Sequence, residues 1–391
     1  MNKQQKFQFW ILIGIVAISG FSQGMLLPLI AVIFEKAGLP SSLNGLNAIA
    51  LYIGILLASP LMEAPLRKLG YKPMILIGGL IVAISLFLFP LWQSFWFWFA
   101  LRFFIGIGDH MLHFASQTWI TSFSQSENRG KNIALYGLFF GLGFAAGPIM
   151  TRLVEINAAW PFQISSAIAL VGWLTVFYVK NEHPEQDLET TSILGTFQRF
   201  GQVFKYAWVA FLPPFAYGFL ETSLNGNFPV YALRLGITID AVSIILPAFA
   251  IGGIVFQLPL GMLSDHYGRH KVLSWTMLVG FASFAVAGMI EHSTSGLFIC
   301  FFIAGMAVGS SFSLGISYMA DLLPKNLLPA GNIMCGILFS AGSMAGPLLG
   351  GINLQLTNGT SFFYMISGIL LAIFFALFLF SFKEKQHRTG H

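Results

Sequence analysis

Long apolar runs, separated by short polar breaks, set the pattern of this chain. They fall near residues 8–34, 43–63, 74–93, 96–119, 132–153 and 160–180, and again near 206–231, 238–260, 272–290, 295–319, 329–352 and 361–382. A helix needs about 20 mostly apolar residues to cross a bilayer. The pattern therefore predicts about twelve transmembrane helices and an all-α membrane protein. The longest polar stretch, from Asn181 to about Lys205, divides the runs six and six. It predicts three parts: a six-helix half over residues 1–180, a cytoplasmic linker over 181–205, and a second six-helix half over 206–391. A short surface helix is expected at Ile193–Phe204 within the linker.

Composition agrees with the pattern. Of 391 residues, 56% are hydrophobic and 9% charged, against about 25% charged in a soluble domain. A water-facing surface for a chain of this length cannot be built from so few charges. The first apolar run lacks a small-residue cleavage site and is read as a retained helix. Cys300 and Cys335 lie inside apolar runs, without neighbours at metal-ligand spacing, and are read as packing residues. No metal or cofactor is expected.

The placement of charge orients the chain. With the N-terminus in the cytoplasm, 16 of the 20 Lys and Arg fall in cytoplasmic segments. Lys36, Arg152 and Arg234 fall outside, and Arg102 lies within a span. The positive-inside rule then places both termini in the cytoplasm. The net charge of +5 belongs to the lipid face. No nucleic-acid partner is expected, because no basic patch is interleaved with stacking aromatics.

The two halves echo each other at an offset of about two hundred residues. Gly70 matches Gly268, Gly147-Pro148 matches Gly346-Pro347, Pro28 matches Pro229, and Asn132 matches Asn332. Several pairs at nearly one offset argue for duplication. Two parallel six-helix halves form a transporter architecture. A complete unit of this kind is expected to be a monomer.

Specific residues extend this to a family resemblance. The loop after span 8 runs Gly261, Asp265, Gly268, Arg269, Lys271 in the pattern Gly-x-x-x-Asp-x-x-Gly-Arg-x-Lys. Gly261 is expected to allow close helix approach, Gly268 to make the turn, and Asp265 to pair with Arg269 or cap a helix. Span 4 carries Arg102-x-x-x-Gly106-x-Gly108. Span 5 carries Gly143-x-x-x-Gly147-Pro148, and span 11 carries Gly342-x-x-x-Gly346-Pro347. With these motifs the whole chain resembles the major facilitator superfamily, and its drug:proton antiporters in particular. The resemblance implies alternating access, with the loop motif latching one conformation. The first-half loop departs from the pattern: Glu63 stands at the Gly position and Arg67 at the Asp position, with Pro65 between them. That degenerate copy resembles a small bacterial branch, the YfkF/YcaD-like group, and implies the bacterial inner membrane.

Ionisable residues at mid-membrane cost about 2.5–3.5 kcal/mol each on insertion scales, so they mark function. Arg102, Gly106, Asp109 and His113 fall on one face of span 4, with His110 beside them and Gln117 roughly extending the stripe. The stripe must face protein or water, and the resemblance implies the central cavity. Asp109 and His113 are placed to share a hydrogen bond and a proton. Arg102 is a candidate for holding a carboxylate. Glu221 on span 7 is the second proton or cation candidate, with Asn225 one turn on. The Asn225-Gly226-Asn227-Phe228-Pro229 run is expected to loosen that helix. Ser22 and Gln23 on span 1 and Gln257 on span 8, with Gln117, Asn225 and Asn227, are the substrate-cavity candidates.

The function expected is proton-coupled efflux of small, amphipathic molecules. Sugar or metabolite transport on the same fold ranks second, since few hydrogen-bonding side chains are available. An intramembrane aspartyl protease would match Gly106-Ile-Gly108-Asp109 but needs a second mid-membrane aspartate, and the other aspartates fall in loops or at helix ends. A non-transporting sensor with this fold is the remaining alternative, but no soluble signalling domain is attached. No enzymatic role is expected.

Overall fold

The computed structural model describes residues 3–124, 126–184, 193–324, 327–357 and 362–389. Every regular element among them is helical. In chain order the α-helices are α1 (Lys3–Lys36), α2 (Ser41–Ala58), α3 (Glu63–Leu69), α4 (Tyr71–Leu88), α5 (Phe95–Phe123), α6 (Ser126–Ala146), α7 (Trp160–Thr175) and α8 (Ile193–Ala207). There follow α9 (Leu212–Arg234), α10 (Ile239–Tyr267), α11 (Arg269–Met289), α12 (Thr294–Val308), α13 (Ser311–Leu322), α14 (Leu328–Leu356) and α15 (Phe362–Thr389).

Eleven described helical segments are long and apolar enough to cross a membrane. α5, at 29 residues, is long enough but is not among them. Arg102, Asp109, His110, His113 and Gln117 dilute its apolar character. The helix that falls short on composition is the one that carries the polar stripe.

The chain divides into two compact units. One comprises residues 1–39 and 46–188, the other 40–45 and 189–391. The short helix expected at Ile193–Phe204 is α8, which contacts α13 and α14 in the second unit. Residues 185–192 of the linker lie outside the described residues.

Each unit is held by backbone-to-backbone approaches at glycine, and the approaches repeat. A Cβ on Gly106 would lie 2.0 Å from the Leu51 carbonyl oxygen, and one on Gly305 would lie 2.0 Å from that of Phe249. Gly54 meets Phe103, and Gly252 meets Phe302. Gly20 meets Phe140, and Gly218 meets Phe339. Gly143 meets Ala17, and Gly342 meets Phe215. Partners in these pairs differ by 198 or 199 in residue number. Where a helix backbone sits on another helix backbone, only a residue without a side chain fits. The repeat is thus a repeat of contacts, and it fixes residue-level equivalence between the units.

Three local expectations change. First, the Asn225–Pro229 run does not loosen α9, which is helical from Leu212 to Arg234. Asn225 Nδ2 donates to the Glu221 carbonyl at 2.7 Å and Asn227 Nδ2 to that of Gly346 at 3.2 Å. These bonds tie the turn before the proline to the helix itself and to α14. Second, the apolar run over 295–319 breaks into α12 and α13 at Gly309-Ser310, where a Gly309 Cβ would lie 2.3 Å from Gly253 Cα. Third, Gly147-Pro148 ends α6 and passes into a 3-10 stretch, Gly147–Glu155, whereas Pro347 stays inside α14.

Candidate functional site: a buried carboxyl and imidazole on one helix

α5 presents its polar face to α1 inside the first unit. Asp109 is 3% exposed and accepts hydrogen bonds from Ser19 Oγ and Gln23 Nε2, both on α1. These two lie one turn apart, so they reach the same carboxyl group. His113 Nε2 lies 2.9 Å from Ser19 Oγ and 3.6 Å from Asp109 Oδ1. The direct Asp109–His113 hydrogen bond expected from their spacing is therefore replaced by a bridge through Ser19. On its far side, His113 Nδ1 is 2.6 Å from the Tyr136 hydroxyl of α6, and that hydroxyl is 3.1 Å from Ser116 Oγ.

Counting hydrogens gives the bridge a direction. Ser19 has one hydroxyl hydrogen, and Asp109 accepts it. His113 Nε2 must then donate to Ser19. A neutral imidazole with its hydrogen on Nε2 has a bare Nδ1, which accepts from Tyr136. The chain Tyr136, His113, Ser19, Asp109 thus consists of donors that all point toward the carboxyl group. The partners of Asp109 other than His113 are neutral. A proton can pass from an imidazolium at His113 to a carboxylate at Asp109 by two hops through the serine.

A small cavity of about 20 Å³ adjoins Asp109 and Ser19, enough for one water. It lies among α1, α4, α5 and α7 and is lined mainly by apolar side chains, with Ser19, Ser22 and Asp109 as its polar members. Ser22 is buried and pairs with Ser165 Oγ at 3.1 Å. Asp109, with Ser19 and Ser22, thus faces the interior of the first unit.

The remaining α5 candidates separate from this group. Arg102 is 1% exposed. Its Nη1 donates to Asn47 Oδ1 at 3.3 Å, and its Nε has no partner among the described residues. It thus holds an amide of α2 where a carboxylate was expected. His110 Nε2 lies 3.0 Å from Ser59 Oγ at the end of α2. Gln117 is exposed. Gly106 and Gly108 serve helix approach to α2 and α4, and no second carboxyl group meets Asp109 among the described residues.

In the second unit Glu221 is partly buried and accepts from the Tyr217 hydroxyl at 3.1 Å. By the contact equivalence, Glu221 stands where Gln23 stands in the first unit, and Tyr217 where Ser19 stands. The positions of Asp109, His113 and Tyr136 hold Val308, Phe312 and Cys335. Even the ring contact persists: His113 packs on Phe140 with centroids 5.2 Å apart, and Phe312 on Phe339 at 5.2 Å. One scaffold carries a hydrogen-bonded chain of four side chains in one unit and a single acid in the other. Asn225 and Asn227 are buried on the same helix, whereas Gln257 is exposed on α10.

The two loop motifs also diverge. In the second unit Gly268 takes φ +93°. Arg269 bonds Asp265 Oδ1 at 3.2 Å, Asp321 Oδ1 at 2.7 Å and the Ser317 carbonyl at 2.8 Å. Gly261 departs from expectation, since a Cβ there would meet nothing within 4 Å among the described residues. In the first unit Pro65 sits in the opening turn of α3, where its missing N–H is not needed, and α3 runs on through Arg67. The Glu63 side chain lies outside the described residues. The turn at Gly70 (φ +88°) is closed by residues that follow α7. Lys72 N–H donates to Asn181 Oδ1 at 3.1 Å, Asn181 Nδ2 to the Leu69 carbonyl at 2.9 Å, and Tyr71 N–H to the Glu182 carbonyl at 3.0 Å. Trp119 Nε1 donates to Glu182 Oε2 at 2.8 Å.

Ser19, Tyr136, Tyr217, Asn47 and Glu182 were not anticipated. Ser19 had a signal, its place one turn before Gln23 on an apolar helix; Tyr136 and Glu182 had none. Among the described residues no three His, Cys, Asp or Glu side chains converge as metal ligands do.

Taken together, the helices define a multi-pass membrane transporter. The Major Facilitator Superfamily model matches residues 12–238 and again 210–391, and the chain belongs to that family. It is 58% identical over 374 residues to the uncharacterized MFS-type transporter YfkF of Bacillus subtilis (strain 168), covering 96% of this chain and 95% of that one. It is 22% identical to the uncharacterized MFS-type transporter YcaD of Escherichia fergusonii, over 90% of each chain. Among solved structures it is similar to the nucleoside transporter NupG. The crystal structure of a NupG point mutant gives a TM-score of 0.81 at 15% identity, over 95% of this chain and 99% of that one. A second NupG structure gives 0.78 at 16%, over 97% of this chain and 99% of that one.

Proposed function

We propose that this protein is a proton-coupled secondary transporter that exports small, amphipathic molecules by alternating access. The coupling proton resides on the Asp109–Ser19–His113 relay. The observation that carries this reading is a carboxyl group buried within a membrane helix, held by neutral donors, and linked through one hydroxyl to an imidazole. Ionisable groups inside a membrane span are costly to place there and mark a functional site. Glu221, with Tyr217 and the buried Asn225 and Asn227, supplies the second acid, for a proton or a cationic substrate. Gly143, Gly147, Gly342 and Gly346 support the export reading through their resemblance to antiporter motifs. The protein works as a monomer in the bacterial inner membrane with both termini cytoplasmic, and residues 1–180 and 206–391 are its moving halves.

The test uses purified protein in liposomes with an internal pH dye and an imposed proton gradient. The panel comprises lipophilic cations, neutral drugs, sugars and nucleosides. Substrate-dependent proton movement that is lost in Asp109→Asn places the proton on α5. Loss only in Glu221→Gln moves it to α9. Proton movement with sugars or nucleosides alone replaces efflux by metabolite transport, and a folded protein that moves protons with no compound removes the coupling.

A further inference from the structure

The second unit carries a groove unrelated to the relay. About 310 Å³ in volume, it runs between α10, α11 and α12. Leu260, Leu263, Val272, Val279 and Ala307 form its apolar walls. Its mouth is framed by Tyr267, 59% exposed, and Trp275, 66% exposed. Lys271 stands beside them, exposed, with no hydrogen bond or ion pair to any described residue. Its neighbour Arg269 is already engaged by Asp265 and Asp321.

Three features name the occupant. The walls belong to membrane-crossing helices and are apolar, the surface that hydrocarbon rather than water would cover. Exposed Trp and Tyr beside a lysine mark the headgroup level of a bilayer. The lysine needs an anion, because the acidic groups nearby are paired with Arg269. We propose that the groove binds one anionic phospholipid, with an acyl chain along α10 and α11 and the headgroup phosphate on Lys271. A phospholipid satisfies both ends at once. A free phosphate leaves the apolar walls uncovered, and a zwitterionic lipid brings its own cation to the lysine.

The experiment is native mass spectrometry of the delipidated full-length protein, titrated with phosphatidylglycerol or phosphatidylcholine of matched chains. The variants are Lys271→Gln, Val279→Trp to fill the groove, and Lys68→Gln as an exposed lysine elsewhere. Wild type is expected to retain one phosphatidylglycerol about fivefold more tightly than phosphatidylcholine, the weight of one lysine at a membrane surface. Lys271→Gln should erase the preference while weak retention of either lipid persists. Val279→Trp should lose the retained lipid, and Lys68→Gln should match wild type. Equal retention of both lipids by wild type overturns the proposal. So does a Lys271→Gln variant indistinguishable from Lys68→Gln, or displacement of the lipid by millimolar inorganic phosphate alone. Near-ultraviolet circular dichroism of each variant separates loss of the site from loss of the fold.

Discussion

Ser19 keeps Asp109 and His113 apart and connects them: its hydroxyl donates to the carboxyl group and lies 2.9 Å from the imidazole, while the two titratable groups are 3.6 Å from each other. The coupling of these groups therefore belongs to a residue on another helix, and motion of α1 against α5 would break it.

Ser19→Ala removes the shared hydroxyl but keeps both titratable groups. Losing one such buried bond costs about 1–1.5 kcal/mol, so proton-linked flux should fall about tenfold while substrate binding is preserved. Flux equal to that of wild type in the liposome assay would mean that protons reach Asp109 by another route.

Tyr136→Phe removes the donor to His113 Nδ1 with little change in volume. The imidazole then loses the partner that fixes its tautomer. The expected result is a shift in the pH dependence of transport with the fold intact, read as initial rate across a pH series. An unchanged profile would leave Tyr136 as packing only.

Gly106→Ala forces a Cβ to within 2.0 Å of the Leu51 carbonyl oxygen, where no flexible side chain can yield. Overpacking of this kind costs about 1–3 kcal/mol. Gly137→Ala meets nothing within 4 Å and serves as the control. Thermal unfolding followed by tryptophan fluorescence should show a lower Tm for the first and none of that loss for the second.

Asn181→Ala removes two of the three bonds that close the Gly70 turn. Amide hydrogen exchange at residues 69–72 should speed up, by about tenfold for a bond of roughly 1–1.5 kcal/mol. Exchange around Gly268 should stay the same, because that turn is closed by Arg269. Equal exchange in the variant would show that the Tyr71–Glu182 backbone bond suffices.

Asp321→Asn should lower Tm more than Asp265→Asn. Arg269 lies 2.7 Å from Asp321, which is 54% exposed, and 3.2 Å from Asp265, which is 68% exposed; both pairs are screened, the second more so. The reverse order would place the weight of the motif on its own helix.

Hydropathy and charge spacing alone determined that this chain crosses a membrane about twelve times in two related sets of helices. Those features follow from the transfer of side chains out of water, which each segment undergoes nearly independently of the others. The span 4 stripe was legible for the same reason, since an uncompensated polar face in lipid is too costly to be incidental. What only the tertiary structure decided is which groups meet. Helical spacing placed Asp109 beside His113, yet packing against α1 set Ser19 between them; contact with α2 turned Arg102 to Asn47, and α9 stayed helical through Pro229. Packing also brought the Asn181 amide and the Glu182 backbone carbonyl to the Gly70 turn, whose own motif lacks the acid. Such pairings depend on how one helix surface docks on another. In this protein that docking is set by glycines whose backbone approaches become visible only when both helices are in place.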